Sequence, residues 1–120
     1  MEKKCGWIEK ATFLDPDYGS DVTEGVREVL KSEHSDNIIG GHCNGELLKV
    51  EVSYVTRRGN LKQPVKYLLL QECPRDDKKL RAKVTQIIDA AYTIKNVYNP
   101  YRAVKDVSVG HIERYADVRM

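Results

Sequence analysis

The feature that most constrains this chain is a stretch of alternation in its middle. Leu48, Val50, Val52 and Tyr54 take turns with Lys49, Glu51 and Ser53, the two-residue period of a strand with one buried face. Arg57-Arg58-Gly59-Asn60 follows, and Gly-Asn can take the positive φ angles that a hairpin turn needs. A return strand runs through Val65, Tyr67 and Leu69, with Pro64 pushing it toward an edge or a strand start. A chain with this hairpin must build a sheet and cover its apolar face.

Two helices are predicted to supply the cover. Cys73-Pro74-Arg75-Asp76-Asp77 opens the longer one, with acidic residues placed favourably in the first turn. Leu80, Val84, Ile87, Ile88 and Ala91 then recur at spacings of three and four, and the pattern extends to Tyr98 until Asn99-Pro100 stops it. That is about 22 residues, some 33 Å at 1.5 Å per residue. The shorter helix follows Asp21, which can cap it while Glu24 reaches back; Val22, Val26, Val29 and Leu30 share one face. Ahead of it, Gly6 to Leu14 reads as a first strand through Trp7, Ile8, Ala11 and Phe13, and Asp15 to Gly19 as a turn. Asn37 to Cys43 reads equally as a short strand or an irregular segment. In the tail, Val104, Val107, Val109 and Ile112 suit strand or short helix alike. The expected fold is α+β: an antiparallel sheet of about four to six strands, one short helix and one long helix in the C-terminal half, in one domain over 1–120.

Charge and cysteine usage narrow the function classes. Twenty Lys and Arg against 18 Asp and Glu leave a net charge of +2, well below the basic excess with which a protein grips a nucleic-acid polymer. No apolar run approaches the ~20 residues that span a bilayer, and the Met-Glu-Lys-Lys start leads into no apolar h-region. A cytoplasmic protein with no membrane partner is the expectation. Cys5, Cys43 and Cys73 form an odd set without a CxxC pair, which reads as reduced thiols. A metal site would need His42 and Cys43 to meet His34, Cys73 or His111, and none of the familiar zinc spacings is present. Neither metal nor cofactor is expected.

Three groups of residues compete for a functional role. Arg57 and Arg58 at the hairpin tip can hold phosphate or carboxylate bidentately, although exposed turn charges often do no more than solubilise. Tyr92, Tyr98, Tyr101 and Tyr115 crowd the last part of the chain, interleaved with Asn96, Asn99, Arg102 and Arg114. Thr85, Asp89, Tyr92 and Asn96 fall on one helical stripe, read as distinct from the core face. A ring to stack a base, an amide to read its edge and arginines for phosphate are the parts of a nucleotide pocket; the same stripe also describes an oligomer interface. The carboxylate pairs Asp15/Asp17, Asp76/Asp77 and Glu113/Asp117 have turn, cap and solvated-face explanations, so no catalytic constellation stands out and a non-enzyme is expected.

The order of residues also carries a resemblance. A strand ending in Ala11-Thr12-Phe13, then Tyr18-Gly19, then Asp21-Val22-Thr23 opening a helix, and later the strand from Leu48 to Tyr54 with its turn at Gly59, resemble the C-terminal domain of DnaJ subfamily C member 11 proteins. Here Leu14-Asp15-Pro16-Asp17 intervenes where that pattern runs nearly straight. The chain is also similar to the phage Thoeris anti-defence family of signal-sequestering sponge proteins. That resemblance implies a homo-oligomer in the host cytoplasm that encloses a cyclic nucleotide-derived immune signal, of cyclic ADP-ribose or cyclic oligonucleotide type, without cleaving it. The residues placed at such a site are Arg57, Arg58, Tyr92, Asn96, Tyr98 and Arg102: Tyr92 to stack a base, Asn96 to bond its edge, and Arg57, Arg58 and Arg102 to meet phosphates. The alternative is a small protein–protein interaction module with no small ligand. A hydrolase of the same nucleotides would need His42 or His111 beside the cluster.

Overall fold

The computed structural model describes residues 6–41 and 43–120. The fold is α+β, with six strands and three α-helices among the described residues. The strands are β1 (Thr12–Leu14), β2 (Ile38–Ile39), β3 (Gly45–Val55), β4 (Leu61–Lys62), β5 (Val65–Leu70) and β6 (Lys105–Arg119). The helices are α1 (Trp7–Lys10), α2 (Thr23–Ser32) and α3 (Asp77–Tyr98). Hydrogen bonding orders the strands β1-β6-β3-β5-β2, with β4 pairing β3 off this path. The sheet is mixed, because β2 joins β5 in parallel, Ile38 opposite Tyr67 and Ile39 opposite Leu68.

The chain forms two compact units interleaved in sequence. The first gathers the described residues of Met1–Lys49 with Lys66–Cys73 and Glu113–Met120. Its core holds Trp7, Ile8, Phe13, Leu30, Leu47, Leu48, Leu68 and Val118, each at most 2% exposed. The start of the chain departs from the expected strand over Gly6 to Leu14. Trp7 and Ile8 are buried side by side on one helical turn, and the chain turns extended only at Ala11, so Thr12–Leu14 alone pairs with β6. The expected capping box is also absent. Val22 stands at the cap position of α2, Asp21 Oδ1 accepts from the Thr23 amide at 2.9 Å, and Glu24 turns outward beside Arg27. Arg27 binds the entrance of the chain to α2. Its Nε donates to the Ile8 carbonyl at 3.0 Å and its Nη2 to the Ala11 carbonyl at 2.9 Å.

In the same unit β5 is buried at five consecutive positions, Lys66 to Leu70, instead of at alternate ones. A strand with neighbours on both edges and covered faces reads as a continuous apolar run. The exception, Lys66, is 5% exposed and donates to Asn37 Oδ1 at 2.9 Å. Gly45 opens β3 where no side chain fits, since a Cβ would lie 2.1 Å from the Leu70 carbonyl oxygen.

The second unit comprises Val50–Val65 and Pro74–Ile112. The hairpin turn closes where the sequence places it: the Thr56 amide donates to the Asn60 carbonyl and the Gly59 amide to the Thr56 carbonyl. Gly59 takes a φ of 87°, which strains any residue with a Cβ. Tyr54 faces Lys62 and Val55 faces Leu61 across the short β3–β4 pairing. α3 has the expected length and stop. Asp76 Oδ1 caps it by accepting from the Lys78 amide at 3.0 Å. Its buried row is Leu80, Val84, Ile88 and Tyr92. The ambiguous tail is a strand, which starts through Asp106 at a positive φ of 55°. Arg81 donates to the carbonyls of Val109 and Gly110 at 3.0 and 2.7 Å, holding α3 to that strand.

Candidate functional site

A cleft of about 370 Å³ opens in the second unit at the tip of the β3–β4 hairpin. Tyr54, Thr56, Arg57, Arg58 and Asn60 line it from the hairpin, and Tyr101, Arg102 and Val104 from the segment after α3. The turn residues cannot continue a strand, so the two guanidiniums project from a tight loop. Pro100 cannot continue the helix, and Pro100–Arg102 form a single 3₁₀ turn that swings Tyr101 and Arg102 out. This segment is held by Asn96. Its Oδ1 accepts from the Val104 amide at 3.0 Å and its Nδ2 donates to the Val104 carbonyl at 2.9 Å.

The cleft therefore collects three of the six residues expected at a site, Arg57, Arg58 and Arg102. Among the described residues no hydrogen bond or ion pair engages their guanidinium groups. Three cations without a counter-charge make a positive, solvent-open concavity. Beside them Tyr101 is 83% exposed, and Tyr54 is half-buried. Such a lining can capture an anion by forked hydrogen bonds and stack a planar ring beside it.

The other three expected residues have different roles. Tyr92 is 6% exposed and belongs to the core row of α3, not to a separate polar stripe. Spacing by four from Leu80 through Ile88 drifts about 40° per step, which brings Tyr92 onto the buried side. Its ring lies 5.3 Å from that of Tyr54, tilted by 49°, and burial pushes its hydroxyl pKa up to about 12. It backs Tyr54 instead of offering a face to a base. Asn96 has both amide groups committed to Val104, so it positions the loop and cannot read a ligand's edge. Tyr98 is 85% exposed and lies outside the cleft lining. Tyr54 escaped the sequence reading because strand alternation had assigned it to the core; its place directly before Thr56-Arg57-Arg58 was the available signal.

The first unit has its own arginine cluster. Arg114 Nη1 is paired with the Glu46 carboxylate and donates to Cys73 Sγ at 3.3 Å. Burial, with the Glu46 carboxylate, pushes the Cys73 thiol up to about 11. Cys43 and Cys73 are free thiols. Cys5 and His42, named as potential thiol and ligand groups, lie outside the described residues. His34 Nδ1 accepts from the Asp36 amide in its own turn. Asp15 Oδ1 accepts from the amides of Asp17 and Tyr18, so Asp15 of that carboxylate pair serves the turn. Among the described residues no group of three or more His, Cys, Asp or Glu side chains could hold a metal ion. No helix there is long and apolar enough to cross a membrane. No protein-family model, curated protein or solved structure matches the chain.

Proposed function

We propose that this protein binds a small phosphorylated nucleotide in the hairpin cleft and retains it without chemical change. The observation that carries the reading is the convergence of Arg57, Arg58 and Arg102, all unpaired among the described residues, with Tyr54 and Tyr101 in one cleft. Guanidiniums match phosphate oxygens in forked geometry, and a tyrosine face accepts a base. Relative to the sequence reading, Tyr101 takes the stacking role from Tyr92, and Asn60 the place of the amide from Asn96. The resemblance to signal-sequestering sponge proteins supplies the finer identity, a cyclic ADP-ribose isomer or cyclic oligonucleotide whose capture suppresses host anti-phage defence.

A thermal-shift panel of cyclic ADP-ribose isomers, cyclic di- and trinucleotides and linear controls tests it. A ligand at about 1,000 times its Kd adds about 4 kcal/mol to the apparent stability, a shift in Tm of about 10 °C or more. Ligand released intact on denaturation accords with retention; a cleaved product makes the protein a hydrolase. No shift across the panel turns the cleft into ordinary charged surface and favours the interaction module.

A further inference from the structure

The net charge of +2 averages two opposite signs. Over Val50–Val65 and Pro74–Ile112, the second unit carries 11 Lys and Arg against 5 Asp and Glu, a net charge of +6. The residues of the first unit carry 9 against 13, a net charge of −4. Such an asymmetry supplies a face for a polyanion that the whole-chain sum hides. Within the second unit the cations gather around the cleft. Arg57, Arg58 and Arg102 line it, Lys62 stands opposite Tyr54 on β4, and Lys105 follows Val104 directly. Both lysines are exposed, and among the described residues no hydrogen bond or ion pair engages either. Of the acidic residues, Asp76 and Asp77 stand at the far end of α3, about 30 Å from Tyr98 along the helix. Asp106 alone adjoins the basic segment.

We propose that this part of the second unit binds single-stranded nucleic acid, with the arginines and lysines on successive phosphates and Tyr98 and Tyr101 stacking on bases. Tyr98 is 85% exposed and Tyr101 83%, so neither ring serves the core. Three residues of chain hold them at most about 11 Å apart, the span of roughly three phosphates at about 3.4 Å each. Exposed rings beside cations are the two components of a single-strand track: charge follows the backbone while each ring takes the face of any base. A duplex keeps its bases stacked on one another, and an acidic polypeptide offers charge without flat rings, so both leave the tyrosines unused. The inference shares three arginines with the cleft reading. It goes beyond that reading in Tyr98, Lys62 and Lys105, which lie outside the cleft lining, and it does not require retention of a small ligand.

Fluorescence anisotropy of a labelled single strand of about ten thymidines, titrated with the full chain, tests the proposal. The expected result is a Kd of about 10 µM or tighter at low salt, weakening with salt at a log–log slope of about 2 to 3.5, the value for three to five phosphates. No binding at about 100 µM protein overturns it. Tyr98→Ala removes an exposed ring and should weaken the strand about tenfold with circular dichroism unchanged, while Tyr98→Phe stays near the parent. Unaltered affinity in Tyr98→Ala overturns the stacking role. A duplex bound as tightly, or polyglutamate competing equally well charge for charge, overturns the assignment in favour of a surface for anions in general. The small-ligand thermal-shift panel separates the two readings: a strand bound without any shift in that panel overturns capture of a small nucleotide and supports this inference, and the reverse overturns this inference alone.

Discussion

Around α2 an arginine holds the protein together, whereas at the hairpin tip arginines hold nothing. Arg27 reaches two backbone carbonyls, of Ile8 and Ala11, and thereby fixes the short α1 turn against the helix that follows. Arg57, Arg58 and Arg102 line a cleft, with no partner for any of their guanidiniums among the described residues. The residue type and fixed charge are the same, and the difference lies in what surrounds them. A carbonyl left without a partner in a partly buried place costs free energy, so a nearby arginine is drawn to it. A tight turn exposes its own backbone to water, so its side chains have no such duty and remain available to a ligand. Counting basic residues therefore says little about function; asking which of them are already engaged says more.

The largest expected effect lies behind the cleft. Tyr92→Ala removes a buried ring and should cost about 3–5 kcal/mol, read as a lower denaturant midpoint; affinity loss without instability would return Tyr92 to the ligand. Arg27→Ala is next. Both carbonyls lose a charged donor, and a loss of about 2–3 kcal/mol is expected. Arg27→Lys should recover little of it, because one ammonium does not reproduce two spaced donors; full rescue by lysine would blur the contrast drawn here. Arg102→Ala should leave stability within about 0.5 kcal/mol while weakening a phosphorylated ligand about 10- to 100-fold. A destabilised Arg102→Ala would place that arginine with Arg27.

The most gradual effect is alkaline. The folded chain keeps the Cys73 proton to about 11, against an ordinary thiol value of 9.0, so above pH 9 the unfolded chain deprotonates first. Stability from this group is complete below pH 9 and declines as pH rises toward 11. Tyr92, also raised, extends the decline from about 10 to about 12. Cys73→Ala should flatten the first part of that slope in denaturation titrations at pH 8, 9.5 and 11.

What the sequence made legible follows from how many periods each element carries. α3 offers five turns of pattern between a capping Asp76 and the stop at Asn99-Pro100, and the hairpin offers four alternations and a Gly-Asn turn. α3 was readable to within a residue and the hairpin turn in place, whereas β3 begins three residues earlier than its alternation, at Gly45, and the return strand is split into β4 and β5. α1 has a single turn, too short for any period, and its Trp7-Ile8 pair is as compatible with a strand until Ala11 is placed. β5 defeats alternation because both its faces are covered, and even Lys66 is buried, its ammonium donating to Asn37 Oδ1. The cleft was half legible. Turn chemistry announced Arg57 and Arg58, and the interleaving of tyrosines with arginines around the end of α3 announced Arg102, whereas Tyr101 stood in that cluster without a role. That Asn96 serves Val104 depends on how the chain returns after Pro100, which no local pattern encodes.

The sheet's outermost strands, β1 and β2, are three and two residues long. Exposed strand edges are templates on which further chains can add, and β1 covers only Asp117, Val118 and Arg119 of β6, leaving residues 105–116 without a strand partner on that side among the described residues. A protein that retains its ligand as proposed, one site for each molecule captured, must accumulate in numbers comparable with that ligand. At such numbers the open length of β6, rather than the short outer strands, decides whether copies add to one another.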